Sequence, residues 1–176
     1  MLTEGLVHGF EYRPGRVQID DMSLLDIPAV LEIERSSHLE PWREEFFLEE
    51  LDRPYSRVLV ARIADRSPDP LGYTCFWRVA DEIHILNLAV HWEYRRQGIG
   101  RCLMQFALRE GYRGQARLAV LEVRRSNLAA RNLYESLGFR PIAERPNYYG
   151  GVPEPAFIME VELNESCKVL KGPCNE

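Results

Sequence analysis

The fold class depends on one stretch of sequence, Asn87-Leu88-Ala89-Val90-His91-Trp92-Glu93-Tyr94-Arg95-Arg96-Gln97-Gly98-Ile99-Gly100. Its beginning closes an apolar run that starts at Ile83 and fits a buried central strand. Its end opens a helical pattern of apolar residues that continues to about Tyr112. The sequence therefore predicts a strand that is joined to a helix through a glycine turn.

This glycine turn is predicted to bind an anion. Gly98 and Gly100 let the backbone turn tightly and present N–H groups without obstruction from a side chain. The N-terminus of the following helix adds a partial positive charge, and Arg95, Arg96 and Arg101 add full charges. Together these groups suit a pyrophosphate. The turn lacks the third glycine of the dinucleotide-binding fingerprint and the Gly-Lys-Ser/Thr of a P-loop. Neither a Rossmann fold nor a P-loop fold is therefore expected.

Outward from the turn, hydrophobic periodicity predicts one mixed α+β domain with helices on both faces of its sheet. The predicted order is β-α-α-β-β-β-α-β-α-β-β. The predicted strands are Val17–Asp20, Arg57–Ala64, Leu71–Ala80, Ile83–Val90, Leu118–Val123, Phe139–Glu144 and Ala156–Leu163. The predicted helices lie around Leu24–Ile33, Phe46–Leu51, Gly98–Tyr112 and Leu128–Leu137. The domain is expected at residues 16–163, between a loose arm at 1–15 and a polar tail at 164–176.

Length and composition are those of an ordinary globular domain. The chain has 176 residues, of which 45% are hydrophobic and 28% charged. These values argue against intrinsic disorder and against disulfide-dense miniproteins. No apolar run reaches the roughly 18–20 residues that span a bilayer, and the acidic start does not resemble a signal peptide. We therefore expect a cytoplasmic protein without a membrane partner.

Charge is unevenly distributed along the chain. The formal net charge of −5 argues against a broad nucleic-acid-binding surface. Residues 1–54 carry 13 acidic and 5 basic side chains, whereas residues 95–145 carry 11 arginines and 4 acidic side chains. The basic block could hold a small anionic ligand, or it could be a solvated helix face.

The cysteines and histidines form no recognisable pattern of a metal site or a nucleophile. The four cysteines lack Cys-x-x-Cys spacing, and the four histidines are scattered without an adjacent Ser or Cys nucleophile. We predict reduced thiols and no metal site.

Three pieces of the sequence resemble the GNAT acetyltransferase superfamily. The glycine turn after Asn87-Leu88-Ala89-Val90 resembles the superfamily's acyl-CoA motif, Arg/Gln-x-x-Gly-x-Gly/Ala. Leu121–Asn127, Ala130–Phe139 and Arg145–Tyr149 resemble the bacterial ribosomal-protein alanine N-acetyltransferases. The resemblance implies a central, mostly antiparallel twisted sheet of about seven strands. It also implies acetyl-CoA as co-substrate and, as acceptor, the N-terminal α-amine of a protein such as the alanine of a small-subunit ribosomal protein.

Glu122 and Tyr134 are the candidate catalytic residues. From the sequence alone, Glu122 could take a proton from the acceptor amine, or it could pair with Arg124 or Arg125 on an exposed sheet face. Tyr134 could protonate the leaving thiolate, or it could pack its ring in the core. The resemblance implies that Glu122 is the general base and Tyr134 the general acid.

The resemblance also assigns residues to CoA. The backbone of the strand end is expected to bind the pantetheine arm like an extra strand and to offer an N–H to the oxyanion. Asn127 is predicted to cap a helix and to contact CoA as well. A splay between the two neighbouring strands would open a slot for the acetyl group. The assigned residues are Leu88, Ala89, Val90, Arg95, Arg96, Gln97, Gly98, Ile99, Gly100, Arg101 and Asn127.

Two loops are candidate binding elements for the acceptor. Pro41 and Trp42 lie in the first loop, although the Trp42 ring could equally pack beneath it. Tyr148 and Tyr149 lie in the second loop and could grip a peptide backbone. Between Arg145 and Asn147 the chain has a proline where the family more often has Arg, which is a departure from its pattern.

Other functions remain open at the level of sequence. The same chemistry could acetylate a lysine side chain or a small-molecule amine, or the fold could bind acyl-CoA without turnover. A peptide α-amine has a pKa of about 7.7–8.0, against about 10.4 for lysine, so an α-amine requires less help from Glu122. The expected partners are acetyl-CoA and a protein N-terminus, without direct contact to nucleic acid.

Overall fold

The computed structural model describes residues 17–63, 69–146 and 154–165, which form a seven-stranded sheet with four α-helices. The strands are β1 (Val17–Asp21), β2 (Ser56–Ile63), β3 (Gly72–Val79), β4 (Glu82–Val90), β5 (Leu118–Arg124), β6 (Arg140–Arg145) and β7 (Ala156–Glu162). The helices are α1 (Ile27–Ser37), α2 (Glu44–Asp52), α3 (Ile99–Arg113) and α4 (Leu128–Ser136). This order confirms the predicted one. The predicted arm and most of the predicted tail lie outside the described residues.

The sheet is mixed, with its single parallel pair near the centre. Its strand order is β1-β2-β3-β4-β5-β7-β6. Every neighbouring pair is antiparallel except β4 and β5, which are parallel. Parallel neighbours need a crossover connection, and α3 supplies it. The glycine turn therefore lies between the two central strands.

Helices cover both faces of the sheet, because two separate hydrophobic clusters form on it. The larger cluster joins α3 and α4 to the sheet and includes Leu103, Met104 and Tyr134. The smaller cluster joins α1 and α2 to the sheet and includes Val30 and Phe47. The prediction of helices on both faces is confirmed.

Strand β4 contains a β-bulge. Cys75 on β3 is paired with Asn87, and Phe76 with Ile85, so Leu86 is an extra residue on β4. Such an insertion bends a strand locally and interrupts its ladder of hydrogen bonds. The sequence of the predicted strand carries no sign of this bulge, because a bulge depends on how two strands are paired.

The bulge reverses the alternation of side chains along β4. Ile85, before the bulge, is buried in the larger cluster, and Leu88, three residues later, packs against the same cluster. Ala89 is buried in the smaller cluster. In a regular strand, residues three apart point to opposite faces. The bulge therefore places Leu88 on the same face of the sheet as Ile85.

Two cysteines lie among the described residues. Cys75 is a buried free thiol, and burial raises its pKa to about 12. Cys102 is disulfide-bonded, so the prediction of reduced thiols is wrong for this residue. Its apolar surroundings on α3 indicate a core position but carry no information on its redox state. No helix in the described part of the chain is long and apolar enough to cross a membrane.

Candidate active site

The parallel strands β4 and β5 separate beyond Ile85. Their pairing starts with Glu82 opposite Leu118 and ends with Ile85 opposite Leu121. From there to Val90, β4 stays paired with β3 on one side. On its other side this segment has no strand partner among the described residues. The splay that the family resemblance led us to expect is therefore present, and the bulge lies at its beginning.

A cleft of about 220 Å³ opens where the two strands separate. It is lined by five of the residues that the sequence pointed to, which are Trp42, Leu88, Glu122, Asn127 and Tyr134. The other residues of its wall come from α1 and the loop after it, from the two strands and from α4. They are Glu34, His38, Leu39, Glu40, Ile85, Leu86, Asn87, Leu121, Val123, Arg124 and Ala130.

Glu122 faces this cleft from β5. Its side chain is 25% exposed, and its Oε1 lies 3.0 Å from Nη1 of Arg145 on β6. The ion-pair partner of Glu122 is therefore Arg145 rather than Arg124 or Arg125, the partners considered from the sequence. Arg124 instead lies 3.6 Å from Glu40 across the cleft mouth. The carboxylate is thus held at the cleft from β6, which is separated from β5 by β7 in the sheet.

Tyr134 lines the same cleft from α4. The residue is 7% exposed and belongs to the larger cluster. Its ring centroid lies 5.8 Å from that of Phe139. Core packing and access to the cleft, which the sequence left as alternatives, are therefore both features of this tyrosine.

Asn127 caps α4, as its position in the sequence predicts. Its Oδ1 accepts a hydrogen bond from the backbone N–H of Ala130 at 3.1 Å. The residue also lines the cleft. The cap uses the amide oxygen, and the amide nitrogen is a donor of the kind that a ligand carbonyl or phosphate accepts.

The glycine turn contains two residues with a left-handed backbone conformation. Gly98 precedes α3 with a φ of 87°, a left-handed conformation that L side chains rarely adopt. Arg96 also has a positive φ, of 63°. Among the described contacts, no side chain caps α3. The N–H groups of its first turn have no helical acceptor and carry the positive end of the helix dipole.

The arginines of the turn differ in what they contact. Arg95 donates from Nη2 to Oγ of Ser37 at 2.9 Å, and Arg101 donates to Oγ of Ser136 at 2.8 Å. These bonds connect the turn to the end of α1 and to α4, while both charges stay near the start of α3. Arg96 is exposed.

The remaining residues of the turn are half-buried or buried. Gln97 donates from its side chain to the carbonyl of Glu93 at 3.0 Å. Ile99 is 1% exposed and packs in the larger cluster. A Cβ at Gly100 would lie 3.5 Å from Leu133, an ordinary contact, so only a larger side chain would be crowded there.

The end of β4 likewise offers its backbone. Ala89 is 5% exposed in the smaller cluster, and Val90 packs against the larger one. Leu88 lines the cleft. The edge without a strand partner is the feature of this segment that an extended ligand could use.

The first acceptor loop reaches the cleft through Trp42. The Trp42 ring lies 5.4 Å from the ring of Phe47, so it packs beneath the loop and also lines the cleft. Pro41 is exposed and does not line it. Tyr148 and Tyr149 lie outside the described residues, and their predicted contact with the acceptor stays a prediction.

Glu34 and Asn87 also line the cleft beside the bulge, and neither is predicted as a site residue from the sequence. A signal was present for Glu34. Ile27, Val30 and Leu31 mark the apolar face of α1 at helical spacing, and Glu34 continues that spacing. A charged residue at a core position of an amphipathic helix is uncommon and deserves a search for its partners.

The comparison with known proteins agrees with this geometry. A model of the acetyltransferase (GNAT) family matches residues 27–139. The chain is 38% identical over 151 residues to a Bacillus subtilis (strain 168) protein named as a candidate ribosomal protein bS18-alanine N-acetyltransferase, a match that covers 85% of this chain and 98% of that protein. It is 33% identical over 148 residues to the Escherichia coli (strain K12) ribosomal protein bS18-alanine N-acetyltransferase, covering 83% and 97%.

Among solved structures, the crystal structure of the ribosomal-protein-S18-alanine N-acetyltransferase from Escherichia coli superposes with a TM-score of 0.76 at 32% identity. The superposition covers 84% of this chain and 94% of that one. The family match includes the glycine turn and both central strands. The chain is therefore an N-acetyltransferase and belongs to the acetyltransferase (GNAT) family.

Proposed function

We propose that the protein transfers the acetyl group of acetyl-CoA to the α-amine of a protein N-terminus, with the N-terminal alanine of a small-subunit ribosomal protein as its acceptor. Residues 16–163 form the catalytic domain in this proposal, and the reaction takes place in the cytoplasm. The names of the two bacterial relatives support the choice of acceptor.

The observation that carries the proposal is the cleft at the splay of β4 and β5. Glu122 and Tyr134 reach it from two different elements, β5 and α4. Acyl transfer to an amine needs a proton acceptor for the ammonium and a proton donor for the leaving thiolate. A carboxylate and a phenol in one cleft supply both.

Each region of the site has one task. The glycine turn, Arg95–Arg101, binds the pyrophosphate through backbone N–H groups and arginine charge. The edge of β4 at Leu88–Val90 binds the pantetheine arm as an added strand. Asn127 donates to the same arm.

The chemical step needs both candidate catalytic residues. Glu122 accepts a proton from the α-ammonium, directly or through a water, and the neutral nitrogen then attacks the thioester carbonyl carbon. A backbone N–H of the β4 end donates to the oxyanion of the tetrahedral intermediate. When the C–S bond breaks, Tyr134 gives its proton to the thiolate. The attacking nitrogen loses its second proton, which restores the Tyr134 phenol through solvent, and Glu122 releases the first proton to solvent. The products are the N-acetylated chain and free CoA.

The charge near the cleft mouth favours a basic acceptor. Residues 17–54 carry eleven acidic and three basic side chains. Several of the acidic ones are exposed on α2, directly after the loop that carries Trp42. Complementary charge accelerates encounter and selects partners. A ribosomal protein with a basic N-terminal tail fits this surface.

Steady-state release of free thiol from acetyl-CoA tests the proposal. The substrates are peptides that share a basic tail and differ in the first residue, each with a copy blocked at its N-terminus. We expect the highest kcat/KM for peptides that start with Ala and no turnover with blocked copies. Equal turnover with blocked peptides that contain Lys would favour the lysine alternative, and no turnover with any amine would favour binding without catalysis.

A further inference from the structure

Glu34 is a buried carboxylate that the proposed reaction does not use. The residue is 0% exposed, on the face of α1 that packs against the sheet, and it lines the cleft on the side where the acceptor is expected. Burying a carboxylate is costly, and an apolar residue in such a place is often at least as stabilising. Stability of the fold alone therefore does not account for a carboxylate at this position.

The Glu34 carboxylate connects three elements of the fold. The backbone N–H of Trp42 donates to Oε1 at 2.7 Å, and the hydroxyl of Tyr73 on β3 donates to Oε2. Nδ2 of Asn87 lies 3.3 Å from Oε1 and 3.4 Å from Oε2. The ring of His38 is within ion-pair distance, with Nε2 3.4 Å from Oε2. One side chain thus holds the acceptor loop, β3 and β4.

The contact with Asn87 is the informative one, because Asn87 directly follows the bulge in β4. Its neighbour Leu88 begins the backbone edge that is expected to hold the acetyl-CoA arm and the oxyanion. The contact with Trp42 lies on the acceptor side of the cleft, because Trp42 belongs to the first of the two loops that are expected to bind the acceptor. Burial and the adjacent Glu34 carboxylate raise the pKa of Tyr73 well above its usual range, so this phenol remains a donor at neutral pH.

We propose that Glu34 is a positioning residue for the acceptor: through Trp42 and Asn87 it fixes the acceptor loop against the bulged end of β4. This inference rests on the proposed function, because it assumes that the acceptor amine enters between these two walls. Glu34 touches no reacting atom in this scheme. Its effect is to set the distance between the amine and the acetyl group.

The chain offers a matched control in Glu50. Glu50 is also a buried carboxylate, 4% exposed, on the neighbouring helix α2, and its Oε2 lies 4.0 Å from Sγ of Cys75 in the smaller cluster. It accepts hydrogen bonds from Trp77 and Arg53 and does not line the cleft. A substitution of Glu50 therefore disturbs a buried carboxylate without touching the acceptor walls.

The test compares Glu34→Gln with Glu50→Gln in the full chain. An amide has one acceptor oxygen, so in Glu34→Gln at least one of the present donors faces an NH₂ group. We expect KM for an Ala-starting peptide to rise about tenfold, because the loss of one or two buried hydrogen bonds weakens binding by about that factor. The dissociation constant for acetyl-CoA, measured by calorimetry, should change by less than about twofold. Glu50→Gln should leave both constants at their wild-type values.

Wild-type peptide KM in Glu34→Gln would overturn the proposal, and so would an equal rise in both variants. Should Glu34→Gln not fold, Asn87→Ala removes the link to β4 alone, and it should raise KM by about three- to tenfold. An unchanged KM in that variant would also overturn the proposal. If the wild type acetylates a different amine, the same comparison is made with that amine. Failure of the proposed function then appears in the wild-type protein, whereas failure of the Glu34 proposal appears in the variants.

Discussion

At the scale of single residues, Tyr134 combines a core position with a place in the cleft. Its ring packs against Phe139, so a Phe at this position would keep that packing while removing the hydroxyl. We predict that Tyr134→Phe lowers kcat by about 10²–10⁴-fold, the usual contribution of a positioned acid. Calorimetric affinity for acetyl-CoA should be unchanged. The control is Tyr112→Phe, which removes the hydroxyl of a half-buried tyrosine near the C-terminal end of α3. A Tyr134→Phe enzyme with wild-type kcat would make this tyrosine a core residue only.

Glu122 is held by Arg145 at 3.0 Å, which fixes its carboxylate at the cleft. We predict that Glu122→Gln flattens the rising limb of the pH–rate profile, because the amide cannot accept the proton of the ammonium. The rate should recover partly at high pH, where more acceptor amine is already neutral. The measurement is kcat/KM between about pH 6 and pH 9, with Glu144→Gln as the exposed control on β6. Identical profiles for Glu122→Gln and wild type would assign the deprotonation to another group.

Gly98 has a φ of 87°, and the chain has a second glycine of this kind, Gly138 with a φ of 94° at the end of α4. Val at either position is strained, but only Gly98 lies in the turn that is proposed to bind pyrophosphate. We predict that Gly98→Val raises the dissociation constant for CoA at least about tenfold, whereas Gly138→Val leaves it unchanged in the folded fraction. Titration calorimetry on both variants decides the point. A Gly98→Val protein that binds CoA with wild-type affinity would place the CoA site elsewhere.

At the scale of elements, the order of strands and helices could be predicted because each element carries its own period. The four helices show apolar residues at helical spacing, and polar or proline-containing turns follow the strands of the two hairpins. The predicted ends differ from the observed ones by a few residues, as at α1, where a short 3₁₀ turn over Leu24–Asp26 precedes the helix. A one-dimensional pattern does not distinguish that turn from a first turn of α-helix.

The β-bulge and the splay could not be predicted from β4 itself. The apolar residues of Glu82–Val90 are compatible with a regular strand, and the bulge depends on how β3 and β4 are aligned. The contacts of Glu34 are of the same kind, because Tyr73 and Asn87 are far from it in sequence. The resemblance to a family pointed to Glu122 and Tyr134, whereas periodicity alone left their roles undecided.

The start of α1 gives a prediction about stability. Asp26 is buried, accepts from the N–H of Ser23 at 2.8 Å, and lies 2.7 Å from Nη2 of Arg62. Burial alone would raise its pKa, but the hydrogen bonds from Ser23 and the Arg62 charge lower it below the ordinary value of 3.8. A carboxyl whose pKa is lower in the folded state stabilises the fold above its unfolded pKa, and this contribution is lost as the pH falls toward the folded pKa.

We therefore predict that Asp26→Asn lowers the free energy of unfolding by about 1–3 kcal/mol at pH 7. The difference from wild type should shrink below about pH 4, where the unfolded chain already binds the proton. Urea unfolding at several pH values measures this. Asp20→Asn is the control, since Asp20 contacts the same arginine at 3.4 Å and is more exposed. A difference that is the same at pH 3 and pH 7 would contradict the assigned role of the Asp26 charge.

At the scale of the whole molecule, the sheet divides the chemistry between its two faces. The basic glycine turn, α3 and α4 are on the side of the larger cluster, whereas the acidic helices α1 and α2 are on the side of the smaller one. The cleft opens where β4 and β5 separate between them. Anionic CoA and a basic acceptor chain can therefore approach the cleft from surfaces of opposite charge.

We expect this cleft to acetylate an α-amine, and the position of the acetyl group on the product tests this claim. The substrate is a single peptide that starts with Ala and carries lysines in a basic tail, incubated with acetyl-CoA and the full chain. Tandem mass spectrometry then locates the added acetyl group. We predict that it is found on the N-terminal nitrogen alone. An acetyl group on the lysines, with the N-terminal nitrogen unmodified, would contradict the claim.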